Sequence, residues 1–317
     1  ILAFLAAAFY LFPSRKLIVI GVTGTNGKST VVELIHTILT EAGFKTGSIS
    51  SLRFKVGNEE QQNKLKMTMP GRFALQKFLR DCVSNGCKYV VLEVTSEGIK
   101  QYRNKFIKFD VAVMTNVTPE HIESHGNFEK YLGAKLKLFE QVSQNYLSRT
   151  SHGSPTSNAL IVNSDDPNAQ KFLKFPAKEK YVYNSSFISI EKDDSVQKIP
   201  MTEKLLMPEG ISFKIGDVTI SSKLIGEFNF YNILAVISMA LSQNIKLEII
   251  ESALTKISGI PGRLEFVQRK PFAVVVDYAH TPDALRKVYQ TLIYNQPDFT
   301  DATAGRQTTT YNTRLIC

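Results

Sequence analysis

The chain has 317 residues, 43% of them hydrophobic and 21% charged, the composition of an ordinary globular protein with room for two domains. Its three cysteines, Cys82, Cys87 and Cys317, have no metal-ligand spacing and do not form an even set, which excludes a zinc knuckle and a disulfide scaffold and points to a reducing cytoplasm. The net charge of +9 suits anionic ligands or an acidic membrane face, but the lysines are scattered rather than gathered into a stripe, so nucleic acid is not expected as a partner.

The chain opens with an apolar run, Ile1 to Phe12, followed by Pro13, Ser14, Arg15 and Lys16. The run is shorter than the roughly 20 residues needed to cross a bilayer. Residues 1–16 are therefore expected to form a helix that packs on the body or lies at an interface, with contact to a membrane surface; the end of a membrane helix is the alternative. Next comes LIVIGVTGTNGKST, where Leu17 to Ile20 reads as a buried strand and Lys28 to Leu39 as a helix. Between them, Gly24, Thr25, Asn26 and Gly27 would turn backbone amides toward a phosphate chain at the helix N-terminus. Lys28 would neutralise phosphate oxygens, and Ser29 or Thr30 could reach a magnesium ion. Val22 occupies the first glycine position of a strict GxxxxGK[ST] loop, so the match is to the loop's context rather than to its full pattern.

Short apolar strands then alternate with amphipathic helices, which predicts an α/β fold: a mostly parallel sheet containing the phosphate loop, with helices on both faces. Helices are expected over residues 73–82, 128–142, 230–240 and 247–257, and strands over 88–94, 110–116 and 158–163. Residues 181–224 read as an antiparallel addition, and 272–278 as the strand of a new βα unit. The division expected is an ATP-binding domain over 17–262, the start of a Rossmann-like C-terminal domain over 263–294, and a disordered or out-of-frame tail over 295–317.

Strand ends in such sheets are where ligands bind. Glu93 lies inside the apolar strand VVLEV, where a carboxylate is either a costly buried group or a magnesium ligand facing the phosphate loop. His121 and His125 fall in a loop at the same edge, and the residues alone leave the role of His121 open. Asp277 ends another apolar strand and is followed by His280.

Seven ordered segments, TGTNGKST, LEVTSEG, TNVTPEHIESHG, YLGAKLKLF, GEFNFYNILA, PGRLE and VDYAHTPDAL, carry a resemblance to the Mur ligase family, and within it to the tripeptide synthetases. The resemblance covers about Leu17 to Val288. It implies ATP-dependent joining of an amino acid to a UDP-N-acetylmuramoyl-peptide through an acyl phosphate, by a cytoplasmic monomer. It also implies roles for single residues. Lys28 would hold the β/γ-phosphates, and Ser29, Glu93, His121 and a carbamylated Lys135 would hold magnesium, two ions in all. Asn229, Asn232, Arg263 and Asp277 would lie on the nucleotide, and Thr68, Thr95 and Arg103 on the muramoyl-peptide. Glu97 stands where tripeptide synthetases carry histidine, and Glu120 where aspartate precedes His121. With no counterpart of the family's uridine-binding domain or of the motif that recognises diaminopimelate, the chain as given is expected to bind magnesium–ATP without turning over. A folylpolyglutamate synthase-like ligase and a nucleotide-binding module without ligase activity are the competing readings.

Overall fold

Residues 1–65, 67–120, 125–149, 158–270 and 272–294 are described in a computed structural model, and their architecture grows outward from β1 (Ile18–Thr23). This strand pairs in parallel with β5 (Tyr89–Glu93) on one side and β6 (Val111–Met114) on the other. Adding β2 (Thr46–Ile49) beyond β5, and β7 (Ala159–Asn163) and β8 (Glu179–Tyr183) beyond β6, gives a parallel core in the order β2-β5-β1-β6-β7-β8.

The core strands are rich in Val, Ile and Leu because both of their faces are covered. On one face Ile20, Val91, Val113 and Ile161 pack with α2 (Lys28–Glu41), α7 (Glu227–Ser242) and α8 (Leu247–Thr255). On the other, Val19, Leu92, Ala112 and Leu160 pack with α3 (Arg72–Ser84), α5 (Phe128–Arg149) and α6 (Ala169–Leu173). Successive strand residues thus alternate between two hydrophobic layers, the period-2 geometry of a pleated strand.

Antiparallel strands extend the sheet at both ends to twelve. The addition expected over 181–224 is β9 (Phe187–Lys192), β10 (Ser195–Met207), β11 (Gly210–Ile215) and β12 (Val218–Ser222). The hairpin β3 (Arg53–Val56) and β4 (Glu59–Gln62) at the opposite edge was not expected. Its strands are short and β4 is wholly exposed, so no hydrophobic periodicity announces it.

The N-terminal run forms α1 (Leu2–Phe9), which buries Ala3, Ala6 and Ala7 and packs on α3. No helix among the described residues is long and apolar enough to cross a membrane. Toward the other end, β14 (Val274–Val276) is shorter than the strand expected over 272–278 and pairs antiparallel with β13 (Glu265–Gln268), a partner the sequence did not announce. Helix α9 (Pro282–Tyr294) follows, and Leu264 and Val288 form a small cluster with Ile225. The tail over 295–317, with Cys317, lies outside the described residues; Cys82 and Cys87 are free and buried.

One buried carboxylate fastens the start of β1. Asp110, 2% exposed, accepts the Val19 amide at 3.0 Å and pairs with Lys108 at 2.7 Å. Replacing it with alanine orphans a buried N–H, which costs about 1–3 kcal/mol. Asp110→Ala is expected to lower the unfolding free energy by that amount, read as a lower urea midpoint at unchanged m; an unaltered midpoint would show that the Val19 amide finds another acceptor.

Candidate functional site

The turn between β1 and α2 is held by its neighbours more than by itself. Gly24 has φ +151°, and a Cβ there would run into the Thr115 hydroxyl; Gly27, the N-cap of α2 at φ +83°, would meet the Asn232 amide oxygen. Both positions therefore need glycine for space as well as for φ. Thr25 donates its amide to the Asn116 carbonyl at 2.8 Å, and Asn26 donates its own to Asn116 Oδ1 at 3.0 Å. This corrects the expectation that the amides of Gly24 to Gly27 all face a phosphate: those of Thr25 and Asn26 shape the loop. The first-turn amides of α2, which have no acceptor within the helix, remain as anion donors. Lys28 reaches back to the Thr25 carbonyl at 2.8 Å, and burial, with a smaller contribution from Arg263, draws its ammonium below the usual lysine range against the pull of Glu93.

Glu93 closes β5 at 3% exposure. Its Oε2 accepts from the Ser29 hydroxyl at 2.8 Å and from the Ser51 amide at 2.9 Å, while the two serine hydroxyls share a hydrogen bond of 2.7 Å. Arg263 donates to both hydroxyls at 3.4 Å and lies over the Tyr278 ring. Ser51 was missed from the sequence, although two serines directly after β2 sit where polar residues at a strand end carry meaning. The adjoining turn is braced by Glu33, which accepts from the Ser50 hydroxyl at 3.1 Å and pairs with Arg53 at 3.1 Å and Lys55 at 2.8 Å.

Lys135, on α5, is 1% exposed. Its Nζ donates to the Gly24 carbonyl at 2.6 Å and lies 4.3 Å above the Tyr131 ring. Burial, and after it the charge of Lys28, pulls its ammonium well below the usual range. Tyr131 shares a hydrogen bond of 3.0 Å with Thr25, and burial pushes its phenol up to about 12. His125 shares one of 3.1 Å with Ser96, whereas His121 lies outside the described residues.

The C-terminal segment meets this cluster directly. Asp277 accepts the Leu264 amide at 2.7 Å and the Ala279 amide at 2.6 Å, so its carboxylate anchors the turn that carries Arg263. Thr281 donates to Glu120 at 2.7 Å, and Glu120 also accepts from Asn26 at 3.3 Å. Asn232 lies beneath Gly27 and donates to Asn229 at 3.1 Å; Asn229 does not line the cavity.

A single cavity of ≈ 1520 Å³ brings the phosphate loop, Thr30, Glu93, Lys135, Arg263 and Asp277 together with Thr68, Thr95 and Arg103. That exceeds the roughly 300–1,000 Å³ of a one-ligand pocket. Thr95 caps α4 (Ser96–Lys100) by accepting the Gly98 amide at 3.0 Å, and Arg103 donates to Gln101 at 3.0 Å and to the Met69 carbonyl. Among the described residues no group of three His, Cys, Asp or Glu could hold a metal by itself, and no lysine or arginine forms an ion pair with Glu93. One buried carboxylate beside a serine hydroxyl suits magnesium, which keeps most of its waters and takes few protein ligands.

The profile of the Mur ligase middle domain matches residues 22–240. The UDP-N-acetylmuramoyl-L-alanyl-D-glutamate–2,6-diaminopimelate ligase of Syntrophomonas wolfei is 37% identical over 299 residues, which is 92% of this chain and 56% of that protein. A solved structure of an enzyme of the same name superposes with a TM-score of 0.70 at 25% identity, covering 89% of this chain and 55% of the other. A single-substitution variant of L. casei FPGS superposes at 0.66 with 18% identity over 93% of this chain and 76% of its own, a likeness of fold. The chain spans about half the length of the curated relatives it matches. With its β1–α2 phosphate loop, its six-stranded parallel core and the match over residues 22–240, the chain belongs to the Mur ligase family.

Proposed function

We propose that this chain carries the ATP-binding and carboxylate-activating centre of a ligase that joins an amino acid to a UDP-N-acetylmuramoyl-peptide. The observation that carries the proposal is the convergence of Lys28, the Ser29–Glu93 pair and a buried Lys135 on one cavity that also exposes Thr68, Thr95 and Arg103. In this reading 17–262 is the ATP-binding domain, 263–294 begins the domain that closes over the nucleotide, and the chain works as a cytoplasmic monomer. Its N-terminal segment is available for contact with a membrane surface. The relatives at 34–37% identity favour this over a folylpolyglutamate synthase-like ligase, for which the support is likeness of fold.

Phosphoryl transfer asks for positioning and charge neutralisation rather than covalent help. Lys28 and the first-turn amides of α2 bind the β/γ-phosphates, and Arg263 approaches from the C-terminal side, its turn fastened by Asp277. ATP would supply the phosphoryl group and magnesium the charge neutralisation; Ser29, Glu93 and His121 would hold one ion and a carbamylated Lys135 a second. Lys135 is buried without a carboxylate ion pair among the described residues, and burial disfavours its charged form, which favours the uncharged amine that carbon dioxide needs. Thr68, Thr95 and Arg103 would position the substrate so that its carboxylate takes the γ-phosphoryl group of ATP as ADP leaves, and the incoming amine then displaces phosphate from the acyl phosphate. Holding those two groups together is worth about 7–11 kcal/mol of barrier.

Three substitutions test this reading. Lys28→Ala is expected to abolish ATP binding in titration calorimetry; unchanged affinity would remove the phosphate-loop assignment. Glu93→Gln keeps the shape and loses the charge, so magnesium–ATP should bind at least tenfold more weakly with the thermal unfolding of the free chain preserved. If the variant binds like the parent, Glu93 is a structural carboxylate. Lys135→Ala should lose the carbamate signal that isotopically labelled bicarbonate gives in carbon NMR, and the ligase activity of the complete enzyme should fall and be partly rescued by short carboxylates. A parent chain with no carbamate signal, or a fully active variant, refutes the role.

A further inference from the structure

The short helix α4 and the turn after it carry a chain of hydrogen bonds that ends on Arg103. Glu97 accepts from the side-chain amide of Gln101 at 2.6 Å. The Gln101 Oε1 in turn accepts from Arg103 twice, from Nε at 3.0 Å and from Nη2 at 2.5 Å. Glu97 and Arg103 both line the cavity, and Gln101 does not. A glutamate and a glutamine four residues apart are an ordinary helix pair; a guanidinium held on the far side of that pair is not.

The backbone is bent to make this chain. Tyr102, between Gln101 and Arg103, has φ +57°. Its amide donates to the Ile99 carbonyl at 2.9 Å, and the Arg103 amide donates to the Gly98 carbonyl at 2.9 Å. This is the Schellman ending of a helix, in which the left-handed position is usually glycine. A tyrosine there costs free energy, and the turn it accepts folds Arg103 back toward Gln101. Arg72 of α3 donates to the Gln101 carbonyl, so Gln101 is fixed by its main chain as well as by its side chain.

The donor and acceptor types leave one arrangement. A carboxylate only accepts and a guanidinium only donates, so the Gln101 amide satisfies both neighbours with its NH2 toward Glu97 and its oxygen toward Arg103. A charged acceptor at one end of the amide polarises it and strengthens the acceptor at the other. No ion pair joins Glu97 to Arg103 among the described residues; the amide between them passes on orientation and leaves the arginine charge uncancelled. Arg103 gives a third N–H, from Nη1, to the Met69 carbonyl. Among the described residues the remaining N–H on each terminal nitrogen has no partner, which leaves two donors for an anion.

From this chain we propose that Glu97 is a positioning residue: through Gln101 it holds the Arg103 guanidinium with two N–H groups presented to a carboxylate of the muramoyl-peptide. The proposal rests on the substrate side of the function proposed above and deepens it. It gives the carboxylate at position 97, where the tripeptide synthetases carry histidine, a part in recognising the substrate without touching it.

The test uses the full 317-residue chain and the variant Glu97→Met, which keeps length and helix propensity and removes the acceptor. In NMR of the free chain, exchange of the Arg103 Nε–H with water should quicken about tenfold or more, as expected on loosening a hydrogen bond to a charged group. In calorimetry, UDP-N-acetylmuramoyl-L-alanyl-D-glutamate should bind the variant about tenfold more weakly than the parent, with magnesium–ATP affinity and thermal unfolding unchanged. Glu97→Gln, which restores an acceptor, should recover most of both losses, and Glu97→Ala replaces Glu97→Met if methionine disturbs the fold. An Arg103 signal indifferent to the loss of the Glu97 acceptor, or an undiminished affinity for the muramoyl-peptide, overturns the role of Glu97. A parent chain that takes no muramoyl-peptide while its Arg103 signal follows Glu97 overturns instead the substrate reading beneath it.

Discussion

Two lysine side chains, Lys28 half-buried and Lys135 buried, converge on one turn of backbone, and this constraint governs the rest of the site. Each donates to a carbonyl of the phosphate loop, Thr25 for one and Gly24 for the other, and neither has a carboxylate ion pair among the described residues. Carbonyl oxygens satisfy their hydrogen bonds without cancelling their charge, so burial disfavours the charged form of both lysines. The surroundings act in two ways. Glu93 and Glu120 stand close enough to raise the affinity of both lysines for their protons, while burial works in the opposite direction. In the function proposed above, a phosphate chain would neutralise Lys28, and carbamylation would remove the charge of Lys135.

Much of this was legible in the sequence because it is local or periodic. The strand–glycine turn–helix order around Lys28 announces itself, and α2 begins at the residue expected and runs to Glu41 rather than Leu39. The strands that end at Glu93 and Asn163 were visible as apolar runs because the parallel core is covered on both faces. The resemblance placed Lys135, which periodicity alone leaves as an unremarkable helical lysine; its position beneath Gly24 is a tertiary fact.

What escaped was decided across the sheet. Ser51 matters because β2 lies next to β5, and the register that matches Ile49 with Leu92 lets Ser51, two residues on, reach Glu93. The two-residue slip from anions to loop geometry at Thr25 and Asn26 follows from Asn116, whose carbonyl and side chain both arrive from the end of β6. The β3–β4 hairpin and the β13–β14 pair are short, and four-residue strands with polar or half-exposed faces leave little signal for any periodicity to register. The sequence reading thus recovered the long, periodic elements and missed the short strands and the contacts across the sheet.

The same cross-sheet dependence dictates when in its synthesis the protein can acquire a phosphate loop. Gly24, Thr25 and Asn26 are held by Thr115, Asn116 and Thr118, some ninety positions later, and the loop's hydroxyl partner Ser29 is reached by Arg263 later still. A ribosome adding about 5–20 residues per second exposes β1 seconds before its neighbour β6 exists, and parallel pairing across such separations is slow to form. Through that interval β1 lacks its β6 neighbour, and until β5 follows its other edge is open as well. The nascent chain therefore passes through a stage in which the loop's residues are present but the contacts that shape it are not.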